Sequence, residues 1–133
     1  MNHPSANDLA SVPLFADLSD DERAALATQF DIEEFEGGRT VFKEGGAGYA
    51  FYVIGSGRVA VSQDGEQVAD LGSGDFFGEI AILGEGRRTA TVTVTESVVL
   101  WVLFGAVFRV LQMERPAIAS ALQAAMRARL AST

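Results

Sequence analysis

At 133 residues with 48% hydrophobic residues, the chain has the length of one domain and enough apolar material for a core of its own; a formal net charge of -8 at pH 7 excludes partners held by a basic field, such as nucleic acid or an anionic membrane. It has no cysteine, which excludes disulfides, thiolate chemistry and sulfur-ligated zinc, fits a reducing compartment and makes the cytoplasm the expected location. One domain over residues 1–133 is expected, with a core over residues 9–130.

Residues 1–8 have neither a cationic start nor an apolar centre, so neither a signal peptide nor an anchor is expected there, and a flexible tail is. Ser19-Asp20-Asp21-Glu22 has the pattern of a capping box, and a helix is predicted over residues 20–29. Of the 14 glycines, all but Gly105 fall between Gly37 and Gly86, cutting that stretch into short runs of Val, Phe, Ile and Tyr. Short strands with frequent turns follow from this, eight or so in number.

Residues 51–54 and 59–61 flank Gly55-Ser56-Gly57, and Asp64-Gly65 supplies the positive φ angles of a type I′ hairpin turn before residues 67–71. An antiparallel meander is the predicted result. Residues 89–95 alternate Thr with Ala or Val, a strand with one face inward, whereas residues 98–104 are apolar throughout, as in a strand buried on both faces. The stretch 98–110 is too short to span a membrane, which takes about 20 residues, and contains Gly105 and Arg109. Phe108 and Leu111, then Ile118, Leu122, Met126 and Leu130 beyond Pro116, recur at helical spacing. The class is therefore mainly β with flanking helices, a sandwich or jelly roll.

Much chemistry is absent. The only histidine is His3, at the loose end, so a histidine-ligated metal site and any nucleophile that relies on a histidine base are excluded. Gly84-Glu85-Gly86-Arg87-Arg88-Thr89 lacks the Gly-Lys-Ser/Thr ending of a phosphate loop. Asp20-Asp21 and Glu33-Glu34 are adjacent in sequence, so their carboxylates point apart.

Residues 77–92 read FGEIAILGEGRRTATV, and Gly78 to Leu83 form a candidate helical turn. Its first amides lack helical partners and can meet an anion, with Gly78 letting a ligand approach the backbone. Glu79 would repel a phosphate but can accept a hydrogen bond from a sugar hydroxyl, and Arg88 offers a planar charged fork for phosphate. Together these describe a site for a ribose and one phosphate.

Phe77-Gly78-Glu79-Ile80-Ala81 followed by Arg88-Thr89-Ala90-Thr91-Val92 resembles the phosphate-binding cassette of the cyclic nucleotide-binding domain family, spacing included. Val12-Pro13-Leu14-Phe15 with Leu18-Ser19 is similar to the family's N-terminal helical lead, and Gly57-Arg58-Val59-Ala60-Val61 and Gly74-Asp75-Phe76-Phe77-Gly78 to its strand and turn signatures. The resemblance implies an antiparallel β jelly roll with an N-terminal helix, a short cassette helix and two C-terminal helices. It implies a sensor of cAMP, or of cGMP, that signals by rearranging its C-terminal helices, with no enzymatic activity and no cofactor.

By the same resemblance Glu79 would receive the 2′-hydroxyl and Arg88 the phosphate, the following Thr-Ala-Thr-Val register selecting Arg88 over Arg87. Amides of Gly78, Ile80, Ala81 and Ala90 would serve the remaining oxygens, and Val59 and Leu71 would wall the base. Met126, Arg129 and Leu130, on the last helix, would form the lid. Thr89 stands where the family's cGMP binders often carry Thr, as do some of its cAMP binders; cAMP is the favoured reading. The alternative is a fold that has lost its ligand and serves as a protein interaction module, against which the presence of Glu79 and Arg88 speaks. The corner Phe104-Gly105-Ala106-Val107-Phe108, with a half-covered Met126 and Leu130, leaves two readings open: ordinary core packing, and a homodimer or effector contact.

Overall fold

The computed structural model describes residues 3–43, 45, 49–83 and 90–131. The chain opens with a helix where a flexible tail was expected: α1 (Ala6–Ala10) is capped by Ser5, whose Oγ accepts from the Asp8 amide at 3.0 Å while Asp8 Oδ2 accepts from the Ser5 amide at 2.8 Å. These two reciprocal bonds, with Leu9 fully buried just beyond, order residues that composition alone marks as tail. A 3-10 turn (Pro13–Phe15) then buries Leu14 and Phe15.

Helix α2 (Asp20–Ala27) has the predicted box, Ser19 and Glu22 exchanging bonds of 2.9 and 3.1 Å. It ends before Gln29 because Phe30 turns inward to pack edge-on against Phe15, ring centroids 6.0 Å apart. Arg23 holds the joint by donating to the carbonyls of Phe15 and Leu18.

Among the described residues six strands follow: β1 (Asp31–Phe35), β2 (Thr40–Phe42), β3 (Ala50–Gln63), β4 (Glu66–Leu71), β5 (Phe76–Phe77) and β6 (Thr91–Phe104), with α3 (Ile80–Leu83) between the last two. The hydrogen-bonded order is β1-β6-β3-β4, with β2 added to β6 and β5 to β3, and every pairing is antiparallel. The expected number of strands was too high for one reason. Residues 51–54 and 59–61 belong to one 14-residue strand, as do residues 91–95 and 98–104.

Both long strands change register against each other between Ile54 and Val59, and such bulges bend a ladder without ending it. Gly57 sits in the bend at φ 90°, where a Cβ would lie 2.2 Å from the Ser97 carbonyl oxygen; only glycine fits. The Asp64-Gly65 turn has φ angles of 52° and 81°, as a type I′ turn requires.

The bent strands explain a core in two parts. Phe51, Val53, Trp101 and Leu103 face the helices and pack with Leu9, Phe15, Phe30, Phe108, Leu111, Ile118, Leu122 and Met126. Ala50, Ile54, Leu100 and Val102 face the other way and enclose Val59, Phe77, Val92, Val94 and Val98. Residues 98–103 are thus covered on both faces, as their unbroken apolar run requires.

Helices α4 (Gly105–Glu114) and α5 (Pro116–Ala131) close the helical side. Met126 was expected to be half covered but is fully buried, because α5 turns that face onto the sheet-facing aromatics; Leu130 remains 40% exposed. The uncovered apolar residues of α4 are Val110 and Met113, and Phe104 at the corner is also partly open.

Candidate functional site

A cavity of about 420 Å³ opens where the 3-10 turn, the outer ends of β3 and β4, the turn into β5 and the end of α5 meet. Its size is that of a small-molecule pocket. Val61, Ala69 and Leu71 form one apolar wall, and Phe76, Phe77 and Glu79 form another. Arg129 and Leu130 reach it from the last turn of α5, opposite Pro13 and Leu14.

The local fold places Glu79. Strand β5 pairs Phe77 with Tyr52 on β3, and the two rings stack at 4.9 Å with planes 12° apart, while Phe42 packs against Phe77 at 5.7 Å. The chain then turns sharply at Gly78, φ 79°, and enters α3, whose bonds run from the Ala81 amide to the Gly78 carbonyl (3.2 Å) and from the Ile82 and Leu83 amides to the Glu79 carbonyl (3.0 and 2.9 Å). Phe77 is thereby anchored in the core at the cavity's edge, and Glu79, half-buried, is the side chain that the turn delivers to the cavity wall. A carboxylate there accepts hydrogen bonds in apolar surroundings, which strengthen them relative to water.

Of the amides expected to meet a phosphate, that of Ala81 closes the turn by donating to Gly78, and Ile80 opens α3. Ala90 is half-buried one residue before β6. Arg88 and Thr89, with Arg87, lie outside the described residues.

The two residues expected to wall the base lie at different depths. Leu71 lines the cavity, but Val59, its register partner, is fully buried in the core behind it. Val61 and Ala69, a register pair farther along the same ladder, line the cavity instead. Alternation along Val59-Ala60-Val61 held that signal, since residues two apart share a face. Of the expected lid, Arg129 and Leu130 border the cavity and Met126 anchors the helix beneath it.

Two contacts join the cassette turn to the C-terminal helices. Gln123 Nε2 on α5 donates to the Ile82 carbonyl of α3 at 3.1 Å, and Ile82 itself is buried among the helix-facing core residues. On the rim, Arg58 holds Asp70 at 2.8 Å and lies 3.8 Å from Glu96, crossing β4, β3 and β6. The hydrogen bond and charge of Asp70, ahead of the other carboxylates, push the guanidinium pKa further up. These side chains are about half exposed, so the network orders the rim more than it stabilises the fold.

Among the described residues there is no cluster of three or more His, Asp or Glu suited to a metal ion. Likewise, no helix among them is long and apolar enough to cross a membrane.

A family model described as "Cyclic nucleotide-binding domain" matches residues 32–115. The cAMP-dependent protein kinase regulatory subunit of Hypocrea atroviridis is 36% identical over 92 residues, covering 69% of this chain and 20% of that protein. The cGMP-dependent protein kinase egl-4 of Caenorhabditis elegans is 41% identical over 92 residues, 65% of this chain and 12% of that one. The chain thus spans a fifth or less of the length of these two relatives. Among solved structures, the N-terminal domain of a transcriptional regulator from Streptomyces coelicolor A3(2) superposes with a TM-score of 0.82 at 31% identity, over 94% of this chain and 93% of that one. The regulatory subunit of a cAMP-independent protein kinase A from Trypanosoma brucei gives 0.82 at 25% identity, over 96% and 44%.

Proposed function

The chain belongs to the cyclic nucleotide-binding domain family, and from that premise we propose that it is a sensor that binds cAMP, or cGMP, in the cavity beneath α5 and acts by passing the bound state to its C-terminal helices. The observation that carries this reading is Glu79, set by the Gly78 turn into the wall of an apolar cavity. The fold alone does not carry it, because a structural neighbour with the same fold is described as cAMP-independent; the site residues do.

In this reading Glu79 accepts a hydrogen bond from the ribose 2′-hydroxyl, and the guanidinium of Arg88 meets the cyclic phosphate with a bidentate fork. The Gly78, Ile80 and Ala90 amides serve the remaining phosphate oxygens. The purine lies against Val61, Ala69 and Leu71, with Arg129 and Leu130 above it. Thr89 is one residue past Arg88, where its hydroxyl can face the base.

Among the described residues that line the cavity no group is placed to break a bond, and in this reading the site binds and does not catalyse. Closure of the cassette on a ligand shifts α3, and the Gln123 bond and the buried Ile82 transmit that shift to α5. A ligand that prefers one arrangement of α5 moves the population toward it by its difference in affinity. The output surface is the outer apolar face of α4, Val110 and Met113, offered to an effector or to a second copy in the cytoplasm.

Calorimetric titration with each nucleotide tests the proposal. Wild type binds cAMP more tightly than cGMP, and Arg88→Ala costs about 2–5 kcal/mol, the scale for truncating one member of a hydrogen-bonded charge pair. If the wild-type chain binds neither nucleotide at millimolar concentration, the proposal fails and the interaction-module reading replaces it.

A further inference from the structure

Behind the turn that lines the nucleotide cavity lies a second cavity, of about 510 Å³, between α1 with its following loop and the bend of β3. Its apolar floor is Val12 and the indole of Trp101, both buried, and its rim holds Asp8 and Asp75. Gly74 and Asp75 border both cavities, so this one turn is a partition between them.

Two independent features mark the second cavity as a place for a ligand. Trp101 is 8% exposed, yet among the described residues its indole N–H donates to no acceptor. A buried donor left in that state keeps its desolvation cost without a hydrogen bond to offset it. Nε1 lies beside Gly55, where a Cβ would come within 2.7 Å of it, and both residues line the cavity.

The second feature is a pair of oriented carboxylates. Asp8 accepts the Ser5 amide through Oδ2 and Asp75 accepts the Gly72 amide through Oδ2, at 2.8 and 2.9 Å. Each is held by one oxygen, with the other left for a ligand. The floor offers a donor and apolar surface, and the rim offers negative charge.

We propose that this cavity is a second small-molecule site, taking a primary ammonium ion with a short apolar body and an oxygen acceptor at its far end. The ammonium group lies between Asp8 and Asp75, the body on Val12, and the oxygen accepts from Trp101 Nε1. An anion is disfavoured by both carboxylates and by the net charge. Because the partition is shared, occupancy here alters the nucleotide cavity through Gly74 and Asp75.

Trp101 is the sole tryptophan of the chain, so its fluorescence reports this cavity directly. The probe is aminopentanol, a five-carbon chain with a terminal amine and a terminal hydroxyl, titrated into the full chain alone and with saturating cAMP. A saturable change in Trp101 emission is expected in both cases. Pentylamine, which lacks the oxygen, and pentanol, which lacks the charge, should each bind about tenfold more weakly, the scale of one lost hydrogen bond at a buried donor.

Asp8→Asn keeps an acceptor for the Ser5 amide and so keeps the helix cap, but should weaken aminopentanol about tenfold and leave pentanol unchanged. Trp101→Phe, followed by calorimetry, should make aminopentanol and pentylamine bind equally. The proposal is overturned by a linear, unsaturable response, by displacement of the probe by cAMP, or by an unaltered affinity in Asp8→Asn. It does not rest on nucleotide binding: a chain that ignores both nucleotides and still binds the amino alcohol would keep this site and lose the sensor.

Discussion

Replacing Gly57 by alanine tests the bend of β3 on which the cavity wall depends. The φ of 90° costs an alanine about 1–2 kcal/mol in backbone conformation alone. Its Cβ would also lie 2.2 Å from the Ser97 carbonyl oxygen and 2.7 Å from the Val98 Cα, both backbone atoms of β6 that cannot rotate away. Relief requires β3 and β6 to part at their crossing, an overpacking cost of about 1–3 kcal/mol. The total is about 2–5 kcal/mol. Gly65→Ala separates the two contributions, because Gly65 also has positive φ, 81°, but its Cβ would meet nothing within 4 Å; it should lose only about 1–2 kcal/mol.

Urea unfolding measures both, with an unchanged m-value as the check that the denatured state is the same. In thermal scans Gly57→Ala should lower Tm by about 6–25 °C, taking about 3–5 °C per kcal/mol for a chain of this length. If the two variants unfold at the same urea midpoint, β6 does not constrain the bend, and the steric account of the long strands is wrong.

Glu79→Ala should weaken cAMP by about 10- to 150-fold in calorimetry, the worth of a hydrogen bond to a charged acceptor at about 1.5–3 kcal/mol, while the unfolding midpoint stays in place; an unaltered Kd would remove Glu79 from the site. Gln123→Ala strips the Ile82 carbonyl of its side-chain donor and should cost about 1 kcal/mol. Hydrogen exchange over residues 116–131 should then quicken about fivefold in the nucleotide-free protein, and unchanged protection would show that α5 is held by packing alone. Burial, then the nearby charge of Asp31, raises the Glu33 pKa above its ordinary value. The folded state therefore binds more proton than the unfolded one in that range, and stability falls as pH rises through it. Glu33→Gln should raise the urea midpoint at pH 7 and raise it less at pH 4; an equal gain at both would refute the burial account.

Local patterns in the sequence determined much of this protein. The Ser19 box, the Asp64-Gly65 turn, the two-sided burial of residues 98–103 and the helical spacing of Phe108, Leu111, Ile118, Leu122 and Met126 all depend on groups within a few residues of one another. Their energetics are local, so they are legible in one dimension. Phe77-Gly78-Glu79 is of the same kind, since a turn that needs positive φ and the side chain it delivers are neighbours in the chain.

What required the tertiary structure depends on partners far apart in sequence. Gly55-Ser56-Gly57 reads as a break between strands, and only the passage of Ser97 and Val98 across it makes it a bend within one. Val59 and Val61 share a face, but their distance from the cavity depends on how far β4 and the end of α5 extend over them, so the chain alone could not say which of the two lines it. Met126 is apolar at a helical position whether it covers a ligand or a core; the rotation of α5, set by long-range packing against Phe108 and the sheet, assigned it to the core and left Arg129 and Leu130 at the cavity. The bond from Gln123 to Ile82 spans 41 residues, and no local pattern announces it.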